Sequence, residues 1–108
     1  MRSHPEGLRL DESLAALEKR GFRAVFEPRP DAHVRCGACG VVREAHTVQV
    51  LARARVEGTS DPDDESIILG VQCPACHARG TLHLAYGPRA DRRDAQVLEA
   101  LGRLPPAA

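Results

Sequence analysis

The residues with the plainest chemistry are four cysteines, Cys36, Cys39, Cys73 and Cys76, which are all the cysteines in the chain. They fall as C-G-A-C and C-P-A-C, giving the pattern C-x2-C-x33-C-x2-C. Each C-x-x-C can turn two sulfurs toward one point, and two such knuckles supply four thiolates in a tetrahedron. Zinc favours that ligand number and geometry. Gly40, directly after Cys39, suits a knuckle because it lets the backbone curl and aim N–H groups at sulfur. Taken alone, the second pair has two other readings: C-P-A-C-H fits covalent haem attachment, and C-P-A-C fits a redox dithiol. Haem attachment belongs outside the cytoplasmic membrane, and the opening "MRSHPEGLRL" has no apolar run that would serve as an export signal. A reactive dithiol normally sits at a helix N-terminus, which lowers the thiol pKa. Here "HARGTLHL" follows Cys76 and reads as a turn into a strand. The expected site is therefore a structural four-thiolate zinc held by Cys36, Cys39, Cys73 and Cys76. Iron is the alternative, since spacing alone does not separate the two metals.

The elements around the cysteines must bring the pairs together. Residues 1–9 read as a loose leader, 10–104 as a single domain and 105–108 as a tail. "DESLAALEKRG" predicts a helix with Asp11 as N-cap, Leu14 and Leu17 on its buried stripe, and Gly21 as its stop. "FRAVFE" alternates, which predicts a strand with Phe22, Ala24 and Phe26 on one face. "AHVRC" is a short strand entering the first pair. "TVQVLARARVE" is the longest alternating run, with Val48, Val50, Ala52, Ala54 and Val56 expected to share one face. "SIILGVQC" returns into the second pair, "GTLHLAYGP" forms the next strand, and "DRRDAQVLEALGRL" is a helix turning Val97, Leu98, Leu101 and Leu104 inward. One hairpin thus leaves the first knuckle and comes back to the second, a layout that resembles a zinc ribbon. The whole predicts an α+β domain, an antiparallel sheet flanked by an N-terminal and a C-terminal helix.

Composition narrows the function. The chain has 108 residues, 15 basic and 15 acidic side chains and no net charge, and only 3% of it is aromatic. Balanced charge and few aromatics weaken a nucleic-acid-binding ribbon, which relies on counterion release and base stacking. Nothing approaches the length of a membrane span. A cytoplasmic, thiol-reducing location is expected. Arg35, Arg43 and Arg79 flank the knuckles and are expected to offset the formal −2 charge of a four-thiolate zinc. His33, His46, His77 and His83 have no recognisable metal-ligand spacing, and His77 is superfluous once four thiolates complete the shell.

No catalytic motif is present, and a four-thiolate zinc has no open position for water or substrate. The remaining place for chemistry is the acidic turn "EGTSDPDDE", with Glu57, Asp61, Asp63, Asp64 and Glu65. It is either a hairpin connection built from capping residues or a divalent-cation or small-ligand site with Tyr86 or His83 nearby.

The run "EGTSDPDDESIILGV", the strand "GTLHLAYGP" and the leading "ESLAALEKRGF" together resemble a group of small uncharacterised bacterial proteins. These share an EG-x-S-[DN]-P-x-D turn, a following apolar strand and a G-T-L strand ending in Y-G. The resemblance spans most of residues 11 to 101. It implies a scaffold on which the metal is a local staple, and it brings no catalytic residue with it. The expected function is a zinc-binding, non-catalytic module whose partner is a protein. The alternatives are a nucleic-acid-binding ribbon and an enzyme using the acidic turn.

Overall fold

The computed structural model describes residues 10–56, 65–86, 91–102 and 104. Its elements are α1 (Leu10–Lys19), β1 (Ala24–Arg29), β2 (His33–Arg35), β3 (Val42–Glu44), a 3₁₀ turn at Ala45–Thr47, β4 (Gln49–Val56), β5 (Glu65–Gln72), β6 (Arg79–Tyr86) and α2 (Arg92–Leu101). The strands form one sheet in the order β3-β2-β1-β6-β5-β4. The α+β class and both helices agree with the sequence. The sheet is mixed rather than wholly antiparallel, because β1 runs parallel to β6, with Ala24 opposite Gly80 and Phe26 opposite Leu82. Every strand between those two enters and leaves by antiparallel pairing. The parallel contact closes the two halves of the sheet against each other.

The helices sit on opposite faces. α2 covers the larger core, where Phe26, Val34, Ile67, Leu69, Val71, Leu82, Leu84 and Val97 are buried with Cys36 and Cys73. α1 covers a smaller one made of Leu17, Phe22, Ala52 and Ile68, with Leu14 and Leu51 against it. Gly70 makes room for the Phe22 ring: a Cβ there would lie 2.9–3.0 Å from its carbons. Asp94 near the start of α2 is buried and satisfied, accepting the Ala85 N–H at 2.9 Å and the Arg93 Nε–H at 3.0 Å. Burying a carboxylate without such donors would be costly.

Three expectations of side-chain placement are corrected. Asp11 falls inside α1 rather than capping it. Phe22 does not share a face with Ala24 and Phe26. It precedes β1, where Gly21 at φ 101° turns the chain and the Phe22 N–H bonds back to the Leu17 carbonyl, so its ring tucks under α1. In β4 the alternation breaks between Val50 and Ala52, where a bulge leaves Leu51 as an extra residue opposite β5. Val48 and Val50 therefore face the α2 core, while Leu51 and Ala52 both pack toward α1. The acidic residues 57–64 lie outside the described residues, as do 1–9 and 105–108.

Candidate metal centre

The knuckles grow out of strand ends. Cys36 follows β2 directly, and Cys73 follows β5 directly. The two turns have matching hydrogen bonds. In the first, the Cys36 N–H donates to the Val41 carbonyl at 3.0 Å and the Gly40 N–H to the Cys36 carbonyl at 2.9 Å. In the second, the Cys73 N–H donates to the Ala78 carbonyl at 2.9 Å and the His77 N–H to the Cys73 carbonyl at 2.9 Å. Both turns end on a residue with positive φ, Gly40 at 79° and His77 at 64°. A histidine is tolerated in that left-handed region more readily than most side chains, though at a cost that glycine avoids. His77 is thus the conformational counterpart of Gly40, which accounts for its place beside the cysteines without any role as a ligand.

These turns bring the four sulfurs within 4.8 Å of one another. The Cys36 and Cys76 sulfurs are 3.7 Å apart, and those of Cys39 and Cys73 are 4.0 Å apart. Metal–sulfur bonds of about 2.3 Å to a single tetrahedral ion would separate the sulfurs by about 3.8 Å. The spacing fits one ion. An iron–sulfide cluster spreads the cysteines over two or four irons and would hold sulfurs on different irons further apart. Each pair joins an inner to an outer cysteine: Cys36 and Cys73 are buried, at 2% and 1% exposure, while Cys39 and Cys76 face solvent. The four cysteines are compatible with a metal-binding site.

Backbone donors prepare the site for anionic sulfur. The Ala38 N–H reaches the Cys36 sulfur at 3.4 Å. Burial works against a Cys73 thiolate, but the N–H groups of Cys76 and Ala75 and the thiols of Cys76 and Cys36 outweigh it and bring its pKa down to about 7. Cys76 has the opposite balance. The Ala78 N–H favours its thiolate, yet desolvation and the neighbouring Cys73, Cys36 and Cys39 sulfurs push its pKa up to about 11. Within this pair the anion is favoured on Cys73 over Cys76.

The flanking arginines divide. Arg35 lies beside the first knuckle, its Nη2 3.5 Å from where a Cβ on Gly40 would stand. Arg79 instead extends over the Phe22 ring, 5.9 Å from its centroid, with Arg20 at 5.8 Å. Among the described residues no hydrogen bond joins Arg35, Arg43 or Arg79 to a sulfur, and the buried Arg43 Nε has no partner.

The histidines lie apart from this centre. His33 Nδ1–H donates to the Asp31 carbonyl at 2.8 Å, and His46 pairs with Glu44 at 3.3 Å. His83, on β6, has its pKa lowered by desolvation of the ring, against the opposing pull of the Asp94 carboxylate. Among the described residues the four cysteines form the one candidate metal-binding group. Of the expected acidic site, residues 57–64 and the Glu65 and Tyr86 side chains lie outside what is described. Sequence reasoning missed Asp94. Its signal was an acidic residue in the first turn of a helix, indistinguishable there from an ordinary dipole partner. No helix of the described residues is long and apolar enough to cross a membrane.

Comparison of the chain with protein-family models, with curated proteins and with solved structures finds no match.

Proposed function

We propose that the chain is a zinc protein in which Cys36, Cys39, Cys73 and Cys76 hold one structural ion, and that the domain so stapled is a non-catalytic module that binds another protein. The observation that carries this reading is the convergence of four sulfurs within 4.8 Å of one another, with two pairs across the matching knuckles at 3.7 and 4.0 Å. Four thiolates fill a tetrahedral shell, so a metal there has no vacant position for a reacting water. What it supplies is cross-linking: it ties the end of β2 to the end of β5, strands that are not neighbours in the sheet. Zinc is preferred to iron because a structural role needs no redox activity and zinc has none.

Native mass spectrometry of the freshly purified chain, before and after a strong chelator, tests the reading alongside circular dichroism. One zinc per chain, with loss of structure on its removal, is expected. Iron with a thiolate charge-transfer absorption would replace the metal assignment. A metal-free chain that stays folded would overturn the reading. A second, weaker cation would turn attention to residues 57–65 and to an enzyme.

A further inference from the structure

We propose that the open face of β1, β2 and β3, beside the cysteine knuckles, docks a carboxylate-rich segment of another protein that carries aliphatic side chains between its acids. This rests on the reading of the chain as an interaction module and gives its partner a chemistry.

The face is left open by the way the helices divide the sheet. α1 packs on β4, β5 and β6, and on the same side β1 and β3 present Val25 at 64% exposure and Val42 at 48%. Val25 shares that side because its parallel partner Thr81 and then Gly70 face the α1 layer, whereas Phe26 faces α2. Val42 joins it through Arg35, its neighbour on β2, which pairs in turn with Glu27 of β1. Single exposed valines are ordinary on a protein surface. The charges around these two are what set them apart.

Lys19, Arg20, Arg23, Arg35 and Arg79 gather at this end of the molecule. Arg23 and Arg79 are adjacent, joined by an Arg23 N–H to Arg79 carbonyl bond of 3.1 Å. Lys19 and Arg23 line one surface cavity with Ala15 and Glu18. None of the five cations forms an ion pair with a described residue. Of the face's own carboxylates, Glu27 is 4.0 Å from Arg29 on the same strand and Glu44 is 3.3 Å from His46, while Glu18 stands beside Lys19 and Arg23. Arg35 lies beside Gly40 of the first knuckle, and among the described residues none of the five donates a hydrogen bond to a sulfur. Contact with the buried Phe22 ring holds the Arg20 and Arg79 guanidinium groups in place before any ligand arrives. The zero net charge of the chain conceals this, since five of its 15 acids fall in sequence within residues 57–65.

Five cations outnumber the described carboxylates among them, Glu18, Glu27 and Glu44, and such a field attracts an anionic partner and sets its orientation. The choice between acidic protein and single-stranded nucleic acid follows from the aromatics. Bases need an exposed ring to stack on. Phe22 and Phe26 are both buried, and Tyr86 stands at the opposite end of β6. Val25 and Val42 instead offer contacts suited to aliphatic side chains.

The test uses the full, zinc-loaded chain and a fluorescein-labelled peptide of mixed Glu and Val, with a Gln-for-Glu peptide and labelled oligothymidylate as rivals. Zinc content is measured on every sample, so a failure of the metal reading shows separately. Anisotropy should report binding of the acidic peptide that weakens with salt. Arg23→Glu should weaken it about tenfold or more, and Val25→Ser by a smaller factor. Arg92→Glu, the same charge change on α2, should leave it unchanged. The Gln peptide should not bind. Equal or tighter binding of oligothymidylate, indifference to Arg23→Glu, or no binding by a zinc-replete chain would each overturn the proposal.

Discussion

The two halves of the sheet are built on different principles. On one side, β4, β5 and β6 are strands of eight residues each, paired along their length except at the Leu51 bulge and covered by apolar side chains toward both helices. On the other, β2 and β3 have three residues each and one open face. Short, half-solvated strands are marginal by themselves. The first knuckle lies between β2 and β3, and its sulfurs come within 3.7–4.0 Å of those of the second knuckle, at the foot of the long hairpin. Hydrophobic burial stabilises one half, and coordination is expected to stabilise the other. A chain with so few aromatic side chains gains more than most from such a division.

The largest expected effect separates the halves directly. Stripping the metal, or changing Cys73 to Ser, should abolish hydrogen-exchange protection in β2 and β3 while part of the protection in β4–β6 survives. Structural zinc contributes apparent binding energies of about 10 kcal/mol or more in small domains, far above any single side chain. Simultaneous loss of protection across all six strands would show one cooperative unit and end the comparison. Acid should act in the same direction. Thiols must lose their protons to bind, so zinc affinity should fall as pH falls, and loading near neutral pH should release protons, as calorimetry in two buffers of different ionisation enthalpy would record. Leu82→Ala should cost about 3 kcal/mol in denaturant unfolding, because Leu82 is fully buried, without changing the metal content. Release of zinc from that variant would mean that the hydrophobic half also holds the knuckles in shape.

Asp94→Ala probes α2, which touches both halves through β6 and β1. Leaving the Ala85 N–H without its acceptor should cost about 1–3 kcal/mol and lower the melting temperature. An unchanged melting temperature would show that water replaces the carboxylate. The smallest effect concerns the two knuckles themselves. His77→Gly relieves a side chain from positive φ, as Gly40 already does in the first knuckle, and should stabilise the metal-bound form by up to about 1 kcal/mol. Destabilisation would show that the imidazole contributes something Gly40 does not.

The cysteine cluster was legible because its information is local: C-x-x-C specifies a turn. The chain does not pass straight from the first turn into the β4–β5 hairpin, however, since the short β3 and a 3₁₀ turn intervene, and neither was expected. The β4–β5 hairpin and α2 were legible for the same reason, since periodicity is written in consecutive residues. What escaped was either non-local or masked by small side chains. No short-range pattern announces that β1 pairs in parallel with β6. The bulge at Leu51 was hidden because Val50, Ala52 and Ala54 continue the alternation by type while Ala52 changes face. Phe22 looked like the first residue of a strand, and the positive φ at Gly21 sends it under the helix instead.

The parallel contact between β1 and β6 has a kinetic meaning. Ala24 meets Gly80 only after the chain between them has been laid down, and that span contains both knuckles. Loop closure of this kind is slow, because entropy is lost before the contacts that reward it can form. The β4–β5–β6 meander, made of neighbours in sequence, can assemble early. An ion gripped by the Cys36 and Cys73 turns would shorten the remaining search by drawing the end of β2 toward the end of β5. Refolding with zinc present from the start should then be faster than refolding with zinc added late, making the ion a timekeeper for assembly as well as a fastening.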